Sequence, residues 1–195
     1  MGGGGTGIES VLMRIEPTPL KDAAMIRLDR RADERGWFAR SFCAGTFAAH
    51  GLPTAYPQHN ISFNVKAGTV RGLHYQAPPH EEPKVIRCTR GAIFDVLVDL
   101  RPDSPTFRAW FGAELSEETG DALFAPAGFA HGFQTLRDDS EVSYLMGTAY
   151  VEGAARGVRF DDPSLAIAWP RPVSTISERD LALPLLSSGQ GPTFM

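Results

Sequence analysis

The chain has 195 residues, 43% of them hydrophobic and 22% charged, which suits one domain with a packed core and excludes bulk disorder. Its net charge of −4 and pI near 5.7 argue against a nucleic-acid-binding or polybasic membrane-binding surface, since either needs an excess of basic residues. No stretch approaches the roughly 18 apolar residues of a membrane span, and the glycine-rich start lacks the features of a secretory signal peptide.

Two cysteines, Cys43 and Cys88, lie in different apolar contexts without Cys-x-x-Cys spacing. This pattern predicts buried thiols in a reducing compartment rather than a disulfide framework or a zinc site. Together with the absence of a signal peptide pattern, it predicts a cytoplasmic protein.

No fixed-period repeat and no linker divides the chain. Residues 1–10 are predicted to form a disordered glycine-rich leader, and residues 187–195 a flexible tail rich in Ser, Gly and Pro. Residues 11–186 are predicted to form a single domain, with N-terminal strands and a C-terminal helical segment.

Short apolar stretches alternate with turn residues along the chain. In chain order, the predicted elements are a short helix at residues 44–50, strands at 84–88, 92–100, 107–115, 121–125, 132–136 and 141–146, and a capped helical turn at 177–180. The three tryptophans, Trp37, Trp110 and Trp169, are predicted to lie in the core. Strands of this length separated by Gly, Pro and Asp predict an antiparallel sandwich or barrel.

Two spacing patterns narrow the barrel to a cupin. A Pro-x-Gly turn at residues 126–128 followed by His131 resembles the second cupin motif, and the turn would present His131 to the barrel interior. Gly68 precedes His74 by six positions, as in the first cupin motif, but Gln76 stands where metal-binding cupins carry a second histidine. The predicted fold class is therefore all-β: a double-stranded β-helix, or jelly-roll (cupin) barrel, with short flanking helices.

A series of motifs resembles the dTDP-4-dehydrorhamnose 3,5-epimerase family over residues 14–185. The motifs are Asp33-Glu34-Arg35-Gly36-Trp37-Phe38, Gln58-His59-Asn60-Ile61-Ser62, Arg71-Gly72-Leu73-His74-Tyr75-Gln76, Lys84, Phe94-Asp95-Val96, Ala130-His131-Gly132-Phe133, Asp162-Pro163 and Trp169-Pro170. The resemblance implies a cofactor-independent isomerase of deoxysugar (rhamnose-type) biosynthesis. Its implied substrate is a nucleotide-diphosphate sugar, a dTDP-linked 4-keto-6-deoxyhexose that is epimerised at C3, C5 or both through an enolate.

Inversion of a carbon beside a ketone requires a base that removes a proton and an acid that returns one to the opposite face. Histidine is the usual base near neutral pH. The resemblance assigns this role to His74, with Asp180 fixing its tautomer as in other His–Asp pairs. It assigns the positive partner of the enolate oxygen to Lys84 and the acid to Tyr144. These four residues are the implied catalytic set.

The resemblance also implies a substrate-binding set, which includes guanidinium groups suited to phosphate oxygens. The set is Arg35 and Arg71 for the pyrophosphate, Gln58, Asn60 and His131 for the sugar and its C4 oxygen, and Phe38 and Tyr150 for the nucleotide base. In the family, the segment around Arg35 can reach the site of the neighbouring subunit, which implies a homodimer.

Two other functions stay open at this point. In a metal-dependent cupin oxygenase, His74, Gln76, Glu81 or Glu82, and His131 would form the ligand set. Glutamine is a poor ligand for zinc or iron, and a catalytic base cannot be coordinated, so no metal is predicted. A non-catalytic sugar-nucleotide binder would have little need for the catalytic set.

Overall fold

The structure, a computed structural model, describes residues 13–186, which form thirteen strands and two short helices. In chain order these are β1 (Met13–Pro17), β2 (Ala24–Leu28), β3 (Arg31–Asp33), β4 (Gly36–Phe38), α1 (Ala44–Ala49), β5 (Gln58–Asn64), β6 (Val70–Gln76), β7 (Lys84–Arg90), β8 (Ala92–Asp99), β9 (Trp110–Ser116), β10 (Ala122–Ala125), β11 (Phe129–Thr135), β12 (Ser140–Met146), β13 (Ala155–Gly157) and α2 (Glu178–Leu181). Neither helix in the described range is long and apolar enough to cross a membrane.

Two antiparallel sheets form the barrel. One has six strands in the order β1-β2-β10-β7-β12-β5, and the other has five in the order β13-β6-β11-β8-β9. The strands β3 and β4 form a separate hairpin. The predicted all-β jelly-roll fold is confirmed.

The main core lies between the two sheets, because alternate side chains of each strand point inward. It joins Ile86 on β7 to Leu97 on β8. Outside the six-stranded sheet, Val85 packs against α1, and outside the five-stranded sheet, Val96 packs against the segment that contains Leu165. Since β8 is covered on both faces, its sequence is a nearly continuous apolar run.

Most predicted elements are found, with shifted ends. The strand predicted at 107–115 begins instead at Trp110, because the preceding residues form hydrogen-bonded turns. The buried carboxylate of Asp99 accepts hydrogen bonds from the Ser104 and Thr106 hydroxyls and holds these turns in place. The strand predicted from residue 132 begins earlier, at Phe129. The predicted leader at 1–10 and tail at 187–195 lie outside the described residues.

The prediction for Trp37 is wrong. Its side chain is 51% exposed on the β3–β4 hairpin, which lies outside both barrel sheets. The Arg30 guanidinium lies over the ring, 4.3 Å from its centroid, so this tryptophan makes a cation–π contact at the surface. Trp110 and Trp169 pack against the core outside the five-stranded sheet, as predicted.

Two glycines allow β6 and β11 to approach each other closely next to His74 and His131. Gly72 has a φ of +110°, and a Cβ there would lie 2.7 Å from both the Gly132 Cα and the His131 carbonyl oxygen. A Cβ on Gly132 would in turn lie 2.7 Å from the Arg71 carbonyl oxygen. The register between the two strands shifts at this point, and glycine is what both positions require.

Candidate active site

His74 and Asp180 form a hydrogen-bonded pair although 106 positions separate them. His74 lies on β6, and its Nε2 is 2.7 Å from Oδ1 of Asp180 on α2. The other carboxylate oxygen of Asp180 accepts the Gly72 backbone N–H at 3.1 Å. The helix is placed by its N-cap, since the Ser177 hydroxyl accepts the Asp180 backbone N–H. The pairing predicted for these two residues is therefore present.

The protonation state of Asp180 sets the tautomer of His74. Burial raises the pKa of the Asp180 carboxyl, but the hydrogen bonds from His74 and Gly72 outweigh burial and hold that pKa below its usual value. The carboxylate can only accept, so Nε2 of His74 carries a hydrogen and Nδ1 keeps its lone pair. Nδ1 has no hydrogen-bond partner among residues 13–186, and the side chain is 45% exposed, so a substrate can reach it.

Tyr144 faces this pair from the opposite sheet. It lies on β12, with its hydroxyl 3.0 Å from the Ser62 hydroxyl. Its ring is edge-on to His131, with 6.1 Å between centroids, and His131 is the strand partner of His74 between β11 and β6. Burial raises the pKa of Tyr144 well above its ordinary value, so the phenol keeps its proton at neutral pH. A base and a proton donor thus lie on the two sides of the space between the sheets.

His131 has a carboxylate partner that the sequence analysis did not assign. Its Nε2 is 2.7 Å from Oδ1 of Asp95 on β8, and both side chains are buried. Burial raises the pKa of the Asp95 carboxyl, and no described residue bonds its second oxygen. The available signal was an aspartate in the middle of a continuous apolar strand, where a charge is found only when it has a partner.

Two positive side chains border the same space. Lys84, at the start of β7, is almost fully buried, and its Nζ is 2.7 Å from the Glu82 carboxylate. Arg71 on β6 donates from Nε to the Asn64 amide oxygen at 2.6 Å, and its charge acts on Tyr144. The Lys84 charge acts on Asp95, the partner of His131, so Lys84 lies near His131 and Arg71 near Tyr144.

Strand β5 contributes the polar residues that were predicted to contact the sugar. Asn60 lies directly opposite Tyr144 in the β5–β12 register, so both side chains point to the same face. Gln58 accepts the Tyr150 backbone N–H on its amide oxygen at 2.8 Å. This bond holds the Tyr150 backbone next to β5, and the Tyr150 ring is exposed.

Arg35 and Phe38 are not brought into this cluster. Both lie on the β3–β4 hairpin, and Phe38 is 66% exposed. The Arg35 guanidinium pairs with Asp33 at 2.5 Å, next to the hairpin turn. Within residues 13–186, no hydrogen bond or ion pair joins either side chain to His74.

Several of the atoms that a cupin metal could use are engaged in hydrogen bonds. The oxygen of Gln76 accepts the Val151 backbone N–H at 2.9 Å, and its nitrogen donates to Glu82. Nε2 of His74 and of His131 each faces a carboxylate. Over residues 13–186, no three His, Cys, Asp or Glu side chains cluster as metal ligands. Catalysis without metal or cofactor stays a prediction.

The chain resembles known proteins over nearly its whole length. A family model described as dTDP-4-dehydrorhamnose 3,5-epimerase matches residues 17–188. The dTDP-4-dehydrorhamnose 3,5-epimerase of Sinorhizobium fredii is 41% identical over 184 residues, which cover 94% of this chain and 93% of that protein. The dTDP-4-dehydrorhamnose 3-epimerase of Streptomyces niveus is 37% identical over 179 residues, covering 91% of this chain and 86% of that protein.

A solved structure gives the same result. The crystal structure of dTDP-4-dehydrorhamnose 3,5-epimerase from Bacillus anthracis, with TDP and PPi bound, has a TM-score of 0.86 and 40% sequence identity to this chain. The match covers 89% of this chain and 99% of that one. The chain belongs to the dTDP-4-dehydrorhamnose 3,5-epimerase family.

Proposed function

We propose that the chain epimerises a dTDP-linked 4-keto-6-deoxyhexose at the carbons next to the ketone, C3 and C5, in deoxysugar biosynthesis. The observation that carries the proposal is the His74–Asp180 pair facing Tyr144 from the opposite sheet. Inversion of a C–H bond needs a base on one face of the sugar and an acid on the other. Family membership supports the substrate class.

The proposed reaction proceeds through an enolate. Nδ1 of His74 takes the proton from the carbon, the C–H electrons form a C=C bond, and the carbonyl oxygen becomes negative. Asp180 stabilises the imidazolium, and the Lys84 ammonium stabilises the oxygen. Tyr144 then gives its proton to the opposite face of the same carbon, and the ketone re-forms. The imidazolium releases the abstracted proton to solvent and the phenolate takes a proton from solvent, which returns both groups to their starting states.

The remaining polar residues are proposed to hold the substrate. The guanidinium of Arg71 suits the pyrophosphate, and its position is set by the bond to Asn64. Gln58, Asn60 and His131 are proposed to contact the sugar, with His131 near the C4 oxygen. The exposed ring of Tyr150 is proposed to stack on the nucleotide base.

Deuterium incorporation tests the activity. We expect that dTDP-4-keto-6-deoxyglucose incubated with the protein in heavy water loses its C3 and C5 proton signals in the NMR spectrum, because each removed proton is replaced from solvent. Exchange at C3 alone would restrict the activity to that of a 3-epimerase. Tight binding of the nucleotide sugar without exchange at either carbon would instead identify a binding protein and contradict the proposal.

We propose that the protein is a homodimer in which Arg35 and Phe38 complete the partner's site. The Arg35 guanidinium pairs with Asp33 of the same hairpin, and the Phe38 ring is 66% exposed, so both side chains are available to a second copy. The outer face of the edge strand β5 exposes Ile61 and Phe63, and Val65 just after the strand is also exposed, so a second copy would cover an apolar stripe here. An apolar edge strand of this kind is normally paired or covered.

A mixed dimer tests this arrangement. We expect Arg35→Ala and His74→Ala homodimers to be weakly active, whereas a purified heterodimer of the two has one intact site of two and about half the wild-type kcat. If Arg35 served its own subunit, neither site of the heterodimer would be intact and no activity would return. Elution of the wild type as a monomer would also contradict the proposal.

The cytoplasm is the proposed location. Both cysteines are free thiols, Cys88 buried and Cys43 partly buried. Free thiols persist in a reducing compartment.

A further inference from the structure

Gln76 is a buried junction between two parts of the site. Its side-chain nitrogen lies 3.1 Å from the Glu82 carboxylate, 3.1 Å from the His80 carbonyl oxygen and 3.3 Å from the Ala149 carbonyl oxygen. Its side-chain oxygen accepts the Val151 backbone N–H at 2.9 Å. The residue that replaces the second cupin histidine therefore ties the 80–82 segment to the loop after β12.

Glu82 lies between this junction and the lysine of the site. One of its oxygens accepts from Gln76, and the other is 2.7 Å from Nζ of Lys84. The Lys84 and Glu82 side chains are 5% and 11% exposed, so solvent contributes little to holding the ammonium in place. A buried cation needs a nearby counter-charge, and Glu82 is the carboxylate in contact with it.

The far end of the connection is the loop that bears Tyr150. The Tyr150 backbone N–H bonds Gln58 on β5, and the Val151 N–H bonds Gln76. Thr148 donates to the Glu81 carbonyl oxygen at 2.9 Å, which adds a second link between the two segments. A continuous hydrogen-bonded chain thus runs from Lys84 to the loop with the proposed base-stacking ring.

We propose that Glu82 is a positioning residue that holds the Lys84 ammonium at the ketone oxygen, and that Gln76 links this position to the Tyr150 loop. The inference rests on the proposed function. Glu82 acts on the reaction only through Lys84, since its two oxygens are used by Lys84 and Gln76. Gln76 then affects both nucleotide binding, through the Tyr150 loop, and the position of the Lys84 ammonium, through Glu82.

Glu82→Gln is the sharpest variant, because glutamine offers one acceptor oxygen in place of two. It can accept from Lys84 or from Gln76, but not from both. We expect kcat to fall by about 10- to 100-fold while KM changes less than about threefold, because the lost interaction acts on the charge that develops during the reaction. Gln76→Leu also detaches the Tyr150 loop, so we expect it both to lower kcat and to weaken dTDP binding.

Glu81→Gln is the matched control. Glu81 is the adjacent acidic residue, and its side chain makes no hydrogen bond or ion pair within residues 13–186. We expect its kcat, KM and dTDP affinity to equal those of the wild type. Equal kcat values for the Glu82→Gln and Glu81→Gln variants would overturn the inference.

A second readout does not depend on turnover. The chain has three lysines, Lys21, Lys66 and Lys84, so ¹³Cε-lysine labelling gives three NMR signals, one of which reports on the surroundings of Lys84. Glu82→Gln removes the carboxylate that lies 2.7 Å from the Lys84 Nζ, so the chemical shift of the Lys84 signal should change while those of Lys21 and Lys66 stay as in the wild type.

Asp95 on β8, whose carboxyl interacts with the Lys84 charge, is unchanged in this variant. A shift of the Lys84 signal therefore reports on Glu82. If Glu82→Gln fails to fold, Glu82→Asp retains the charge but withdraws it by one methylene, so kcat should fall and the Lys84 signal should still shift.

The outcomes separate the two proposals. A wild type that exchanges no protons, but whose Lys84 signal shifts in Glu82→Gln, would refute the epimerase activity and retain the role of Glu82. An active wild type with an unchanged Lys84 signal and unchanged kcat in Glu82→Gln would refute the role of Glu82 alone.

Discussion

The His74→Ala variant should epimerise dTDP-4-keto-6-deoxyglucose about 10³- to 10⁴-fold more slowly than the wild type. A positioned general base contributes a factor of this size, and no other described base has its free nitrogen in the same place. The variant should lose kcat, with KM little changed, because His74 acts on the reacting proton and not on the pyrophosphate or the nucleotide base. Steady-state rates of product formation measure both constants.

His50→Ala is the matched control for this variant. His50 lies at the C-terminal end of α1, where its exposed ring bonds the Thr46 carbonyl oxygen. Its removal deletes one imidazole from the surface and should leave kcat and KM unchanged. A His74→Ala variant that is folded and retains more than about a tenth of the wild-type kcat would contradict the assignment of the base.

The Asp180→Asn variant should lower kcat by about 10³-fold while the chain stays folded. Asp180 accepts from both the His74 ring and the Gly72 backbone N–H, and asparagine has one acceptor oxygen for these two donors. If the asparagine NH₂ faces Nε2 of His74, the ring hydrogen moves to Nδ1. Nδ1 then no longer has the lone pair that takes the substrate proton. If its oxygen faces Nε2, the NH₂ opposes the Gly72 N–H and the helix is displaced. Steady-state rates and ¹⁵N spectra of the imidazole measure the two effects.

Asp162→Asn separates this effect from the loss of a buried carboxylate in general. Asp162 is also buried and hydrogen-bonded, to Ser164 and to the Leu186 backbone N–H, but it lies in a turn and, among the bonds of residues 13–186, has none to His74 or Gly72. Its replacement should cost stability and leave kcat at the wild-type value. If the two variants lose equal amounts of kcat, Asp180 has no specific role in orienting His74.

The difference in stability between the wild type and the Asp180→Asn variant should depend on pH. The pKa of Asp180 is lowered in the folded protein, so its stabilisation is fully present above the unfolded value of about 3.9 and is lost as the pH falls through the folded value. The difference in unfolding free energy between wild type and variant should therefore shrink below about pH 4. Denaturant unfolding at several pH values measures it.

Local patterns predicted much of the fold from the sequence. Strand lengths and turn residues are properties of short segments, so β7, β8, β10 and β12 were predicted near their observed positions. The N-cap at Ser177 was visible for the same reason. The prediction that Trp37 lies in the core is wrong because a residue type indicates only a preference for burial, whereas the hairpin that bears Trp37 lies outside the barrel.

The site was less accessible to local patterns. The His74–Asp180 pair joins a strand to a helix 106 positions later, and no spacing rule predicts that distance; it came from family resemblance. From the sequence, Glu82 is a candidate only as a metal ligand, because its contacts with Lys84 and Gln76 depend on how residues 77–83 are folded. The roles of the binding residues stay predictions, as does the leader at 1–10.

The most direct measurement of the central claim is the rate at which solvent deuterium enters C3 and C5 of the substrate, with wild type and His74→Ala compared at equal concentration. Proton abstraction by the Asp180-supported imidazole predicts that both proton signals disappear with the wild type and persist with the variant over the same time. Exchange by His74→Ala at the wild-type rate would show that another group removes the proton.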